Sequence, residues 1–305
     1  MKILITGGAG YIGTELAHVL ADNDAVSKIT IFDNLSRQNY NLFLENQFPS
    51  GKLNFIHGDI LDGRKLTKAL EGIDVVIHSA AKVTTPYSDQ DLHQFEQINH
   101  WGTTELVSKI EQSNVKHCIF LSSAAVYGFN NSSFDEHSVP QPVNHYGITK
   151  RRAEKEILRL SDSVKVNIVR SANVFGYSRS MRFDSVINRF MFDANFNNRI
   201  KVFGDGRQHR AFISIEVLCQ ILESLVVNDF QIEILNAVEF NYSINEVIFE
   251  YLKVIFPDID VLFVNQEVPV KSIILKSVFE NELSLQSPSQ NLQEYLTQFK
   301  TKFSF

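Results

Sequence analysis

Short apolar runs recur through the first half of the chain, each closed by a polar turn and followed by a stretch with helical spacing. Ile3-Leu4-Ile5, Ile29-Thr30-Ile31-Phe32, Leu53-Asn54-Phe55-Ile56, Val75-Val76-Ile77-His78, Cys118-Ile119-Phe120-Leu121 and Val166-Asn167-Ile168-Val169 predict six strands. Continuous apolar runs bounded by helices mark strands buried on both faces, hence a parallel sheet. Between the first two runs, Ile12, Leu16, Val19 and Leu20 recur at the interval of one helix face. Right-handed crossovers then build an α/β, doubly wound sheet.

The turn after the first run is rich in glycine: Thr6-Gly7-Gly8-Ala9-Gly10-Tyr11-Ile12-Gly13. A strand, a glycine turn and a helix start place a pyrophosphate against free backbone N–H groups, as in the Rossmann fold. The second run ends in Asp33, 20 residues after Gly13, where a carboxylate accepts from the ribose hydroxyls of NAD and repels the extra phosphate of NADP. A purely structural glycine turn is the alternative. Ligands in such sheets bind beyond the carboxyl ends of the strands. Asp33, Asp59, the Ser79-Ala80-Ala81-Lys82 turn and Ser122-Ser123 all fall there.

After about residue 171 the pattern loosens. Gly204-Asp205-Gly206 marks a turn, and 212–227 predicts an apolar helix that returns to the sheet. The expected organisation is an NAD-binding domain over 1–172, with about 211–236 returning to it. A smaller mixed α/β substrate-binding domain would cover about 173–210 and 237–305.

Bulk properties narrow the classes. The chain has 305 residues, enough for one large or two moderate domains. A net charge of −6 offers no basic face for nucleic acid. No apolar stretch is long enough to span a bilayer, and the run after Lys2 is cut by Gly7, so no membrane partner or secretory signal is expected. Cys118 and Cys219 lie in apolar segments and make neither a disulfide framework nor a metal site. The histidines show no metal-ligand spacing, so no metal is expected. A cytoplasmic location follows as the expectation.

The chemistry rests on two further patterns. Tyr146 and Lys150, four residues apart on a helix, project from one face. A free tyrosine, with a pKa near ~10, is too weakly acidic to serve as a base at neutral pH. A neighbouring lysine cation and the positive nicotinamide of NAD both favour tyrosinate. Ser123, at the end of the fifth strand, is in position to hydrogen-bond the same substrate hydroxyl. Simple strand termination is the favoured reading of Ser122 and the alternative for Ser123, and an exposed helix face is the alternative for an isolated tyrosine–lysine pair.

With these residues in hand, the chain resembles the extended short-chain dehydrogenase/reductase superfamily, and within it the NAD-dependent nucleotide-sugar epimerase/dehydratase branch. The matching pieces are the glycine turn, Asp33-Asn34-Leu35-Ser36, Gly58-Asp59-Ile60, His78-Ser79-Ala80-Ala81, Asn99 with Gly102-Thr103, Ser123 to Gly128, and Tyr146 with Lys150. In the second half, Arg170 to Gly176, the loop ending in Arg210, and Leu235-Asn236-Ala237 also match. The resemblance implies Ser123, Tyr146 and Lys150 as catalytic residues. It implies an NAD site made by Gly7, Gly10, Tyr11, Ile12, Gly13, Asp33, Asn34, Ser36, Asp59, Ile60, Ala80, Ala81, Lys82, Asn99, Ser122, Tyr146 and Lys150. Asp59 has a helix-capping alternative. The substrate, a nucleotide-diphosphate sugar, would meet Ser123, Tyr146, Asn173, Arg182 and Arg210. A surface arginine is the alternative for Arg210. A homodimer built from helices around residues 93–111 and 147–160 is also implied, with packing on the sheet as the alternative for their apolar positions.

In this family the tyrosine takes a proton from a sugar hydroxyl while NAD takes hydride, giving a 4-keto intermediate. A 4,6-dehydratase has an Asp-Glu pair directly after the serine or threonine position. Here stand Ala124 and Ala125, which exchange no protons, so C4 epimerisation is the expected reaction. A dehydrogenase, reductase or dehydratase of a nucleotide sugar or other alcohol is the enzymatic alternative, and an NAD-sensing regulator the non-enzymatic one. The chain also departs from the family. Ala211 stands where an acid is usual, and Ser214 where a histidine is usual. The region 266–270 lacks the arginine of the family's diphosphate-gripping element, with Lys271, Arg179 and Arg182 as possible substitutes.

Overall fold

The computed structural model describes residues 1–44, 48–49, 51–83, 92–129, 132–264, 272–279 and 291–303. The stretch 266–271, with its missing arginine and Lys271, lies outside them. Fourteen strands are found among the described residues. They are β1 (Lys2–Thr6), β2 (Lys28–Asp33), β3 (Leu53–His57), β4 (Val75–His78), β5 (His117–Ser123), β6 (Ser133–Phe134), β7 (Lys165–Ser171), β8 (Asn173–Phe175), β9 (Arg199–Phe203), β10 (His209–Ser214), β11 (Ile234–Ala237), β12 (Phe240–Ser243), β13 (Asp260–Val264) and β14 (Ile274–Leu275). The main sheet has seven strands in the order β11-β7-β5-β4-β1-β2-β3. All of its pairs are parallel. The six strands expected from apolar runs all lie in it.

Successive residues of β1 serve opposite faces of this sheet. Ile3 and Ile5 join a core with Leu16 and Leu20 of α1 (Tyr11–Asp22) and with the returning helix 215–227. Leu4 joins the other core, with Leu66 of α2 (Gly63–Ala69), Leu106 and Ile110 of the helix 102–111, and Ile157 of the helix 145–158. The doubly wound prediction therefore holds. The strand order reverses between β1 and β4, so the crevice opens at their carboxyl ends.

The helix on the β4–β5 crossover is α3 (Leu92–Phe95) and α4 (Gly102–Glu111), joined by a wider π-type turn over Glu96–Trp101. Such turns often occur at functional sites, and this one carries Asn99. Then follow α5 (His145–Leu158), α6 (Val186–Asn197) and α7 (Ile215–Val227). The predicted helix 212–227 is shorter than expected. Phe212, Ile213 and Ser214 finish β10, and the Ser214 hydroxyl accepts from the Val217 amide at 3.2 Å, capping α7. α7 packs against α1, and β11 pairs with β7 at the sheet edge.

A third core lies away from the main sheet. It gathers Phe175, Met191 of α6, Ile200, Phe212, Val247 and Leu296. Over it lies the small sheet β12-β10-β8, in which β8 and β10 run parallel and place Asn173 opposite Phe212.

Candidate active site

The crevice at the switch point is a cavity of about 530 Å³. Its floor is the glycine turn. Gly7 has φ +70°, and a Cβ there would stand 2.6 Å from the Ala80 Cα, so only glycine fits between β1 and the turn after β4. Gly10 starts α1 with no side-chain cap, leaving the first-turn amides of Tyr11, Ile12 and Gly13 facing the cavity. That arrangement suits an anion at a helix N-terminus.

Asp33 lines the same cavity at the end of β2. Its carboxylate accepts from the Ala9 amide at 3.1 Å and the Leu35 amide at 2.7 Å, which fixes it beside the turn. Burial raises its pKa, against the two amides that lower it. Asp59 accepts from the Asn34 side chain at 2.8 Å and the Leu61 amide at 3.0 Å. The helix-cap alternative for Asp59 falls to Asp62, which accepts from Lys65 at the start of α2. Asn34, Ser36, Asp59, Ile60, Ala80, Ala81 and Lys82 all line the cavity. A glycine cradle that a Cβ would fill, an open helix end and a carboxylate one strand away fit a dinucleotide.

Asn99 is buried and acts at one remove. Its side chain accepts from the Lys82 amide at 2.8 Å and donates to the Lys82 carbonyl at 2.9 Å. It thus holds the backbone of the cavity wall. His78, at the end of β4, bridges the Thr6 and Thr103 hydroxyls at 2.7 and 2.9 Å. Burial, with the Lys150 cation nearby, drives its pKa down to about 3, so it is a neutral strut.

Ser123 and Tyr146 stand outside the cavity's described lining; the Ser123 hydroxyl accepts from the Ala125 amide at 3.2 Å and is near enough to the Tyr146 phenol to lower its pKa. Tyr146 is half-buried against the edge of the Phe95 ring, 6.2 Å between centroids. Close approach of α5 to the turn 124–127 requires Gly147, because a Cβ there would run into the Ala125 carbonyl. Burial raises the Tyr146 pKa, while the Arg182 cation and the nearby Ser123 side chain lower it. The sequence reading gave that electrostatic role to Lys150. In the structure Arg182 is the cation acting on the phenol. The Lys150 ammonium, fully buried, donates to the Leu121 carbonyl at 2.7 Å, and burial pulls its pKa down to about 7 against the opposing pull of Glu154.

Ser122 sits differently from its neighbour. It is buried, and its hydroxyl donates to Glu154 at 2.6 Å instead of lining the cavity. The strand-termination alternative describes it better than cofactor contact does.

The opposite wall comes from the segment 176–184, which sequence reasoning noticed only at Gly176, Arg179 and Arg182. Met181 and Arg182 line the cavity. The segment is tied to α1: Tyr11 donates to the Gly176 carbonyl at 2.8 Å, Ser178 to the Tyr11 carbonyl at 2.9 Å, and Thr14 to Ser180 at 2.9 Å. It is tied to the ribose-side loop by Arg37, which also lines the cavity and meets Asp184 at 3.3 Å. These partners lie far apart in sequence, so no local pattern announces them. Asn173 and Arg210 stand on the small sheet, outside the cavity's described lining. Asn173 donates to the Ala211 carbonyl at 3.0 Å, and the half-buried Arg210 guanidinium lies 6.0 Å from the Phe129 ring centre. Among the described residues no three His, Cys, Asp or Glu side chains are grouped to hold a metal, and no helix is long and apolar enough to cross a membrane.

Residues 3–233 match the NAD dependent epimerase/dehydratase family. The dTDP-D-glucose 4,6-dehydratase of Mus musculus is 34% identical over 220 residues, 70% of this chain and 61% of that protein. This chain therefore spans less than two thirds of that relative's length. An uncharacterized UDP-glucose epimerase of Bacillus subtilis is 29% identical over 222 residues, 70% of this chain and 69% of that one. Among solved structures, the UDP-glucuronic acid 4-epimerase from Bacillus cereus, in complex with UDP-glucuronic acid and NAD, superposes with a TM-score of 0.86 at 26% identity, covering 99% of this chain and 98% of that one. The UDP-N-acetylglucosamine 4-epimerase from Methanobrevibacter ruminantium M1 gives 0.86 at 26% identity, covering 99% and 97%.

Proposed function

The chain belongs to the NAD-dependent epimerase/dehydratase family, and from that premise we propose that it is a nucleotide-sugar 4-epimerase. NAD is its cofactor, as it is in the family and in the Bacillus cereus neighbour's complex. The glycine turn and the α1 N-terminus would hold the pyrophosphate, and Asp33 the adenosine ribose. When bound, NAD supplies a reversible hydride acceptor for C4 of the sugar.

The residues of the chain manage the proton. The Tyr146 phenolate takes it from the C4 hydroxyl and later returns it to the oxygen of the opposite epimer. Ser123 hydrogen-bonds that same oxygen and holds it against Tyr146. Arg182 favours the phenolate, and Lys150 orients the catalytic end of the crevice from Leu121.

One observation carries the choice of epimerisation over dehydration. Ser123 is followed by Ala124, buried in the core, and Ala125, whose carbonyl abuts Gly147. Loss of water across C5 and C6 needs a second acid and base, and these positions supply neither. Asn173, Arg182 and Arg210 are assigned to the diphosphate and sugar, and a homodimer and a cytoplasmic location complete the proposal.

The test incubates the protein with UDP-, dTDP-, GDP- and CDP-sugars, including UDP-glucose and UDP-glucuronic acid, and follows products by NMR. A mixture of C4 epimers with no net change in absorbance of reduced cofactor is expected, and Tyr146→Phe should abolish it while retaining NAD. Accumulation of a 4-keto-6-deoxy sugar, or steady cofactor reduction, contradicts the proposal.

A further inference from the structure

Behind the Ser123–Tyr146 pair lies a buried polar cluster that the proposed proton transfer does not use. Glu154 stands on α5, one turn beyond Lys150 and two beyond Tyr146. Its carboxylate accepts from the Ser122 hydroxyl at 2.6 Å, from Arg170 Nε and a terminal Arg170 nitrogen at 2.9 Å each, and from Arg151 at 2.8 Å. Four donors fill the acceptor capacity of a carboxylate. The Arg170 and Glu154 side chains are 2% and 0% exposed. Arg170 also donates to the Tyr127 hydroxyl at 2.9 Å, and Tyr127 donates to Asn236 at 2.8 Å.

A buried ion pair of this kind is weak grounds for stability, because desolvation offsets most of the attraction. Its geometry suggests another role. Register pairs Ser122 of β5 with Arg170 of β7, so both strands grip Glu154 from adjacent positions. The Lys150 ammonium binds the Leu121 carbonyl on the same strand. Two ties, at Leu121 and Ser122, therefore fix α5 against the end of β5 immediately before Ser123.

We propose that Glu154, clamped by Arg170 and Ser122, is a positioning residue that sets the separation of the Ser123 hydroxyl and the Tyr146 phenol. The proposal rests on the roles assigned to those two residues. The charged group acting on Tyr146 is Arg182 from the opposite wall. Around Lys150 the charged or titratable groups are His78 from β4 and Glu154 on its own helix, with Arg170 of β7 behind.

The test uses the full chain loaded with NAD. Tyrosinate absorbance is titrated in wild type, Ser122→Ala and Glu154→Asp, each referenced to the same protein carrying Tyr146→Phe. Both variants loosen the tie, and Glu154→Asp keeps the charge. If Ser123 drifts, its side chain lowers the phenol pKa less, so the Tyr146 midpoint rises. Turnover on an active nucleotide sugar should fall about tenfold in kcat with KM and NAD content held, since small misplacements act on the chemical step. Ser122→Thr, which restores the hydroxyl, should bring both readouts back. An unmoved midpoint in both folded variants, with only the melting temperature lowered, overturns the proposal. The titration needs no substrate, so it stands even if the protein epimerises nothing.

Discussion

The Lys150 ammonium donates to the carbonyl oxygen of Leu121 at 2.7 Å, two residues before Ser123. The lysine proposed for the active site is thus held by the strand that carries Ser123. Its surroundings lower its pKa from 10.5 to about 7. Between those values the unfolded chain binds more protons than the folded one, so stability rises with pH across that window. Below about pH 7 the buried charge carries its full desolvation cost. In NAD-free protein, Lys150→Met should therefore gain most in melting temperature relative to wild type below pH 7, with the gain shrinking as pH rises. The same variant should lose turnover by at least about 100-fold. A stability difference independent of pH contradicts the buried-charge account.

Arg182 is the cation that lowers the Tyr146 pKa. Its removal should raise that pKa, and a base must be deprotonated to work. Arg182→Gln should therefore move the acid limb of the kcat–pH profile upward, alongside a rise in KM from loss of the proposed substrate contact. A KM rise with the limb unmoved would limit Arg182 to binding.

The main sheet was legible because parallel strands buried on both faces read as apolar runs. The glycine turn was legible because only glycine suits Gly7 against Ala80. Tyr146 and Lys150 were legible through helical spacing. Three features were not. Ser122 read as a strand terminus, but its partner, the buried Glu154 on α5, was not legible. Asn99 works through the backbone of Lys82, 17 residues away. The 176–184 wall depends on pairings such as Tyr11 with Gly176, 165 residues apart. Local propensity carries no trace of contacts at that range, and the short strands of the small sheet leave too little pattern to count.

Gly7 combines a left-handed backbone with a close approach to Ala80. Gly7→Ala should be strained by about 1–3 kcal/mol and push β4's turn out of the cavity. The variant should melt at lower temperature and purify with little NAD, measured by releasing the dinucleotide with acid. Full NAD content in this variant would remove the glycine turn from the cofactor site.

Arg37, which lines the cavity, meets Asp184 at 3.3 Å, and Asp184 also accepts from Arg182 at 2.5 Å. Arg37 is about half exposed, so the contact is a modest one. Asp184→Asn should speed NAD release up to about fivefold, equivalent to ~1 kcal/mol. Stopped-flow displacement of bound NAD measures this directly, and an unchanged rate would show that the wall 176–184 holds through its α1 contacts alone.

The central claim is that hydrogen removed from C4 of the sugar returns to C4. A nucleotide sugar carrying deuterium at C4 tests it in one experiment. The account predicts deuterium at C4 in both epimers after equilibration, read by NMR and mass spectrometry. Deuterium at C6 of a 4-keto-6-deoxy product, or its loss into free reduced cofactor, would contradict it.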